Sequence, residues 1–121
     1  MKVVCVLNPA SAGGFAMQRW PQIVRHLSAF HIDFDLLAER ATPLPDQLRR
    51  CLEQKGPRTY QAVVGIGGDG THSALINVLM RYRQDFPARP VPPYVIIPAG
   101  TGNDIAKSIG LGTRNEFMRD E

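Results

Sequence analysis

The sequence contains few of the residues that mark a secreted or membrane-spanning protein. Its 121 residues include only two cysteines, Cys5 and Cys51, and no CxxC pair. We expect both to be buried, reduced thiols rather than a disulfide. No apolar run approaches the roughly 20 residues that a helix needs to cross a bilayer, and the stretch Met1–Leu7 is too short for the apolar part of a signal peptide. The expectation is a cytoplasmic protein.

Strong charge is also missing. The formal net charge is +3, from 14 Lys and Arg against 11 Asp and Glu, and no basic cluster occurs. A nucleic-acid partner is therefore not expected, whereas peripheral contact with an anionic membrane surface and a homo-oligomeric state are left open. Hydrophobic residues make up 44% of the chain and charged residues 21%, which is typical of one globular domain with its own core.

Several well-known site motifs are absent. The chain has no GxxxxGK[ST] phosphate loop and no GxSxG nucleophile motif, and the glycines at 65–68 break the GxGxxG spacing. The three histidines, His26, His31 and His72, do not fall at metal-ligand spacing. We expect His72 to face solvent at the start of a helix, and Trp20 to pack with the nearby Phe15 and Met17.

Strand-like and helix-like segments alternate along the chain. Compact apolar runs predict strands at residues 2–7, 31–37, 61–66 and 94–97, and apolar stripes predict helices at residues 15–30, 46–54, 71–83 and 103–109. Pro21 is expected near the start of its helix, where a missing N–H is harmless. This alternation is typical of the α/β class: a Rossmann-like, three-layer α/β/α domain with a mainly parallel sheet.

Three predicted strands each end in a glycine-containing turn, at residues 8–14, 67–71 and 98–104. Because the carboxyl ends of parallel strands share one edge, the three turns are expected at one rim of the sheet. Glycines and the free N–H groups of a helix start favour phosphate binding, and Thr71 is a suitable helix cap. The carboxylate of Asp69 would repel a phosphate unless a cation bridges them or Asp69 handles a proton or hydroxyl. Each turn alone is also compatible with an ordinary cap.

Together these motifs resemble the N-terminal, nucleotide-binding domain of the diacylglycerol kinase catalytic family, which includes sphingosine kinases and bacterial lipid kinases. The resemblance implies ATP and Mg²⁺ as cofactors, and phosphorylation of a lipid hydroxyl with diacylglycerol as the leading acceptor. It implies a catalytic role for Asp69 and assigns no metal ligand within this chain. The nucleotide-binding residues it implies are Asn8, Pro9, Ala10, Ser11, Ala12, Thr42, Gly67, Gly68, Asp69, Gly70, Thr71, Gly100, Thr101, Gly102, Asn103 and Asp104.

Two residues depart from the family pattern, Ala12 in place of a usual glycine and Ala74 in place of a glutamate found in many bacterial members. If position 12 needs a positive φ, alanine there is strained by roughly 1 kcal/mol. The resemblance also implies a second, β-rich, lipid-holding domain beyond this chain, so residues 1–121 are expected to be the ATP-binding part alone, with little turnover in isolation. An NAD kinase-like phosphotransferase and a non-catalytic nucleotide-binding module remain as alternatives.

Overall fold

A computed structural model describes residues 1–56 and 58–98, in which strands and helices alternate. A short 3-10 turn, Ser11–Gly14, precedes the first helix. The elements are β1 (Lys2–Leu7), α1 (Phe15–Ala29), β2 (Asp33–Leu37), α2 (Leu44–Lys55), β3 (Ala62–Gly67), α3 (Asp69–Asp85) and β4 (Tyr94–Pro98).

The four strands of the described part form one sheet in the order β2-β1-β3-β4, and every neighbouring pair is parallel. The register places Leu7 of β1 beside Ile66 of β3, and Gly67 of β3 beside Pro98 of β4. The carboxyl ends of β1, β3 and β4 therefore lie next to one another. The predicted α/β class and parallel sheet are confirmed.

Hydrophobic side chains cover both faces of the sheet. Along β1, Val3, Cys5 and Leu7 belong to the core that includes Ile23 and Leu27 of α1. The alternate residues Val4 and Val6 belong to a second core with side chains of α2 and α3, namely Leu48, Leu52, Leu75, Leu79 and Tyr82. Because both faces are covered, β1 is apolar along its whole length. The molecule thus has the predicted three layers, with α1 on one face and α2 and α3 on the other.

The position predicted for Pro21 is wrong. Helix α1 begins at Phe15, and Pro21 lies inside it rather than at its start. A proline here removes the N–H that would bond the carbonyl of Met17. Both residues are exposed, so water can satisfy that carbonyl, and the helix continues through the proline.

The packing role predicted for Trp20 is confirmed, and its aromatic partner is Phe34. The Trp20 ring packs edge-on against Phe34 of β2, with ring centroids 5.2 Å apart. Met17 is 42% exposed, and the ring of Phe15 lies 4.4 Å from the guanidinium of Arg19. Trp20 therefore fixes α1 onto the sheet.

Helix α3 begins earlier than the sequence suggested. Gly68 occupies the N-cap position and Asp69 the first helical position, so the predicted capping role of Thr71 is wrong. His72 lies three residues before Leu75, on the same buried face of α3 as Leu75, Leu79 and Tyr82. His72 consequently faces the sheet with only 7% of its surface exposed, which corrects the prediction that it faces solvent.

Both cysteines are free thiols: Cys5 is buried and Cys51 is half-buried, so the prediction that both are buried holds only for Cys5. Within residues 1–56 and 58–98, no helix combines the length and apolar character that bilayer crossing requires. The predicted helix at 103–109 and all of the third turn except Pro98 lie outside the described residues.

Candidate functional site: a cleft at the carboxyl edge of the sheet

The connections that follow β1 and β3 lie on opposite faces of the sheet. After β1 it passes through α1 on one face to reach β2, and after β3 it passes through α3 on the other face to reach β4. Neighbouring parallel strands whose connections diverge in this way open a crevice at their carboxyl ends, where ligands of open α/β sheets bind. Asn8 follows β1 and Gly68 follows β3 at this position.

Asn8 organises the first turn and joins it to the second. Its backbone N–H donates to the carbonyl of Ile66 at 3.0 Å, which extends the β1–β3 pairing by one residue. Its side-chain Oδ1 accepts from the backbone N–H of Ala10 at 3.0 Å. Its Nδ2 donates to the Thr71 hydroxyl at 2.9 Å. The two turns are therefore held together at the crevice by one side chain.

The second turn leads directly into α3. A Cβ at Gly67 would lie 2.9 Å from the side chain of Thr71, so this position requires glycine. At Gly68 and Gly70 a Cβ would meet no atom within 4 Å, so the backbone is open on that side. The first helical hydrogen bond runs from the N–H of His72 to the carbonyl of Gly68 at 3.1 Å. The N–H groups of residues 69–71 precede that bond and lie at the positive end of the helix dipole, where anions bind.

A cleft of about 670 Å³ lies beside these two turns. Its volume is within the usual range for small-molecule sites, roughly 300–1,000 Å³. It is lined by the predicted residues Asn8, Pro9, Ala10, Ser11, Thr42, Gly68, Gly70 and Thr71. The predicted residues Ala12, Gly67 and Asp69 do not line it, although Asp69 is exposed at the first position of α3. Gly100, Thr101, Gly102, Asn103 and Asp104 lie outside the described residues.

The far wall of the cleft was mostly missed by the sequence analysis. Besides the predicted Thr42, it consists of Glu39, Arg40 and residues 43–45, and Ala74 of α3 adds to the lining. These residues follow β2, a strand whose end carries no glycine motif, so the motif search passed over them.

Gln47 of α2 holds that wall in place. Its Nε2 donates to the carbonyls of Glu39 at 2.9 Å and Thr42 at 2.7 Å, and its Oε1 accepts from the N–H of Glu39 at 3.3 Å. Only 7% of Gln47 is exposed. The sequence carried a signal for this residue, since Gln47 is polar at a position three residues after Leu44, on the apolar stripe of α2.

Ala12 has left-handed backbone angles, with φ 52° and ψ 41°. Gly13 and Gly14 follow with φ of 66° and 95°. The first turn thus contains three successive residues in a region that glycine adopts freely and alanine does not. Position 12 therefore has the positive φ at which alanine was expected to be strained.

Comparison with known proteins identifies the family of the chain. The family profile of the diacylglycerol kinase catalytic domain matches residues 2–119. The chain belongs to the diacylglycerol kinase catalytic domain family. The resemblance found in the sequence is thereby confirmed, at the level of a family of lipid kinases.

Individual members of the diacylglycerol kinase catalytic domain family match most of the chain. A diacylglycerol kinase of Mycobacterium tuberculosis is 32% identical over 94% of it, and human sphingosine kinase 1 is 34% identical over 99%. A crystal structure of a Bacillus anthracis diacylglycerol kinase superposes with a TM-score of 0.54 at 27% identity, covering 94% of this chain and 38% of that one. This chain spans 33% of the mycobacterial relative and 30% of the human one.

Proposed function

We propose that the cleft binds ATP with Mg²⁺, and that the chain is the nucleotide-binding part of a lipid kinase that presents the γ-phosphate to a lipid hydroxyl. The observation that carries this proposal is the Asn8–Thr71 hydrogen bond at 2.9 Å, which joins two backbone turns beside a cleft at the switch point of the sheet. Family membership supports phosphoryl transfer to an alcohol as the reaction class.

The phosphates are assigned to the start of α3. Gly68 and Gly70 leave the backbone open to close approach, and the helix dipole favours negative charge there. Asn8 and Thr71 line the cleft, and Arg40 and Glu39 add one charge of each sign to its wall. The rest of the nucleotide extends along the wall formed by residues 39–45.

Asp69 is assigned to the reacting end of the nucleotide. It is exposed at the first position of α3 and does not line the cleft, so it can act on a γ-phosphate or an acceptor hydroxyl without standing among the other phosphates. Within the described residues no group of three or more His, Cys, Asp or Glu side chains could hold a metal ion. Mg²⁺ is proposed to arrive on the phosphates, where it would neutralise their charge.

Calorimetry on the purified chain tests the nucleotide site. ATP with Mg²⁺ is expected to bind more tightly than adenosine, and Thr71→Val is expected to weaken ATP without changing adenosine. Thr59→Val is the matched control, since the Thr59 hydroxyl donates only to the carbonyl of Lys55, away from the cleft. A folded chain that binds no ATP at millimolar concentration would refute the proposal.

Transfer of labelled phosphate tests the acceptor and the role of Asp69. Diacylglycerol and sphingosine in mixed micelles are offered in parallel with NAD to the full-length gene product, and labelling of a lipid is expected. Labelling of NAD alone would favour the NAD kinase-like alternative. Asp69→Asn should lower turnover by at least about 100-fold with little change in ATP affinity, whereas a non-catalytic module would show no turnover in either form.

A further inference from the structure

His72 is a buried side chain that the proposed chemistry does not use. It lies directly after the second turn, on the side of α3 that faces the sheet, and is 7% exposed. Its Nδ1 lies 2.6 Å from the hydroxyl of Tyr94 on β4, and the two rings meet edge-on with centroids 5.8 Å apart. Nε2 has no hydrogen-bond partner within the described part of the chain. A leucine at this position would fill the space without burying an unpaired polar atom. What histidine adds over leucine is the hydrogen bond that its Nδ1 forms with Tyr94.

The sheet is shaped to receive Tyr94. A Cβ at Gly65 of β3 would overlap the Tyr94 hydroxyl, and it would also lie within 3 Å of the tyrosine ring. Gly65 therefore lets the tyrosine lie across the face of β3 and reach the start of α3. Three residues on three different elements thus form one contact, and any side chain at position 65 would remove it.

Burial disfavours protonation of the His72 ring. The carbonyls of Gly67 and Ile97 and the charge of Asp69 favour a protonated ring, but burial outweighs them and lowers the pKa of His72. A neutral imidazole has one nitrogen without a proton, which can accept a hydrogen bond from the hydroxyl of Tyr94. The hydrogen bond to Tyr94 is therefore maintained in the protonation state that prevails in the folded protein.

We propose that the His72–Tyr94 pair sets the position of the phosphate-binding turn, so that His72 is a positioning residue for phosphate binding. Two consecutive residues at the start of α3 form hydrogen bonds to the strands on either side of β3. Thr71 bonds Asn8, which follows β1, and His72 bonds Tyr94 on β4. With both ties present the first turn of the helix cannot rotate or slide along the sheet. The proposal rests on the proposed nucleotide site, because its consequence for binding concerns the phosphates.

Tyr94→Phe is the test, because it removes only the hydroxyl and keeps the ring that packs on His72. ATP affinity is expected to fall about fivefold, while adenosine affinity stays unchanged because adenosine has no phosphate. The matched control is Tyr82→Phe, which removes the hydroxyl of a buried tyrosine near the other end of α3. The Tyr82 hydroxyl accepts only from Arg89, at 3.4 Å, and Tyr82 is not part of the cleft.

A readout without nucleotide separates this proposal from the nucleotide site itself. In the amide NMR spectrum of the free chain, Tyr94→Phe should shift the resonances of residues 68–71, and Tyr82→Phe should leave them in place. Unchanged resonances in Tyr94→Phe would overturn the proposal even if ATP binds. If the resonances shift but the chain binds no ATP, the positioning of the turn by His72 and Tyr94 would stand and the proposed function would be refuted. Equal weakening of ATP and adenosine would refute a phosphate-specific role.

Discussion

The side-chain amide of Asn8 donates a 2.9 Å hydrogen bond to the hydroxyl of Thr71, and so connects residues that are 63 positions apart in the chain. This bond crosses the boundary between the two strands whose connections leave on opposite faces. It keeps the first turn beside the start of α3, so both fold stability and phosphate binding are expected to depend on it.

Asn8→Ala should lower the free energy of unfolding by about 1–3 kcal/mol, because the bonds to Thr71 and to the Ala10 N–H are lost in a half-buried place. Urea denaturation measures this change, and calorimetry should show weaker ATP binding. Asn77→Ala is the control, as Asn77 is exposed on α3 and should be nearly neutral in both assays. Equal effects of the two substitutions would argue against a special role for Asn8.

Ala12→Gly should stabilise the protein by about 0.5–1 kcal/mol. Alanine at φ 52° carries a steric cost that glycine avoids, and this gain exceeds the added entropy of the unfolded chain. Thermal or urea unfolding measures the difference. Ala10→Gly is the matched control: Ala10 lies in the same turn with φ −92° and ψ −7°, a right-handed conformation, so glycine there should be neutral or destabilising. A gain at both positions would show that general flexibility of the turn, rather than strain at Ala12, is responsible.

The fold was largely predictable because its signals are local. A short run rich in β-branched residues, such as Val3–Val6, favours a buried strand, and the strand–helix alternation leads to a parallel sheet. Element ends were harder to predict. Helix α3 begins at Asp69 because Gly70, although a poor helix former, occupies the first turn, where its N–H needs no helical partner.

The site was predictable only in part because half of it depends on tertiary contacts. Asn8 and Thr71 could be placed at one edge from strand order alone. The wall after β2 has no motif of its own and is set by Gln47, whose partners Glu39 and Thr42 are fixed by packing of α2 rather than by local sequence. The burial of His72 was missed for a different reason, since its place three residues before Leu75 puts it on the buried face of α3, but its polarity suggested exposure.

Gln47→Leu should loosen the wall of the cleft. The substitution places an apolar side chain of similar size on the buried stripe of α2. It leaves two carbonyls and the Glu39 N–H without their partner, which should lower the free energy of unfolding by about 1–3 kcal/mol. ATP binding should weaken, since residues 39–45 line the cleft. Gln54→Leu on the exposed side of the same helix is the control. If Gln47→Leu bound both ATP and adenosine as well as the unaltered chain, the wall would have no part in nucleotide binding.

Burial of His72 should make the protein less stable as the pH falls below about 6.5. The pKa of His72 is lowered from its ordinary value of 6.5, mainly by burial. Between that value and the lower pKa of the folded state, the unfolded chain binds more protons, so the free energy of unfolding rises with pH and drops on acidification. The slope from one such group is at most about 1.4 kcal/mol per pH unit.

Urea denaturation across this range should show a steeper pH dependence for the unaltered chain than for His72→Leu. His26 and His31 are present in both proteins, so their contributions cancel in the difference. Identical slopes would mean that His72 keeps its ordinary pKa in the folded protein.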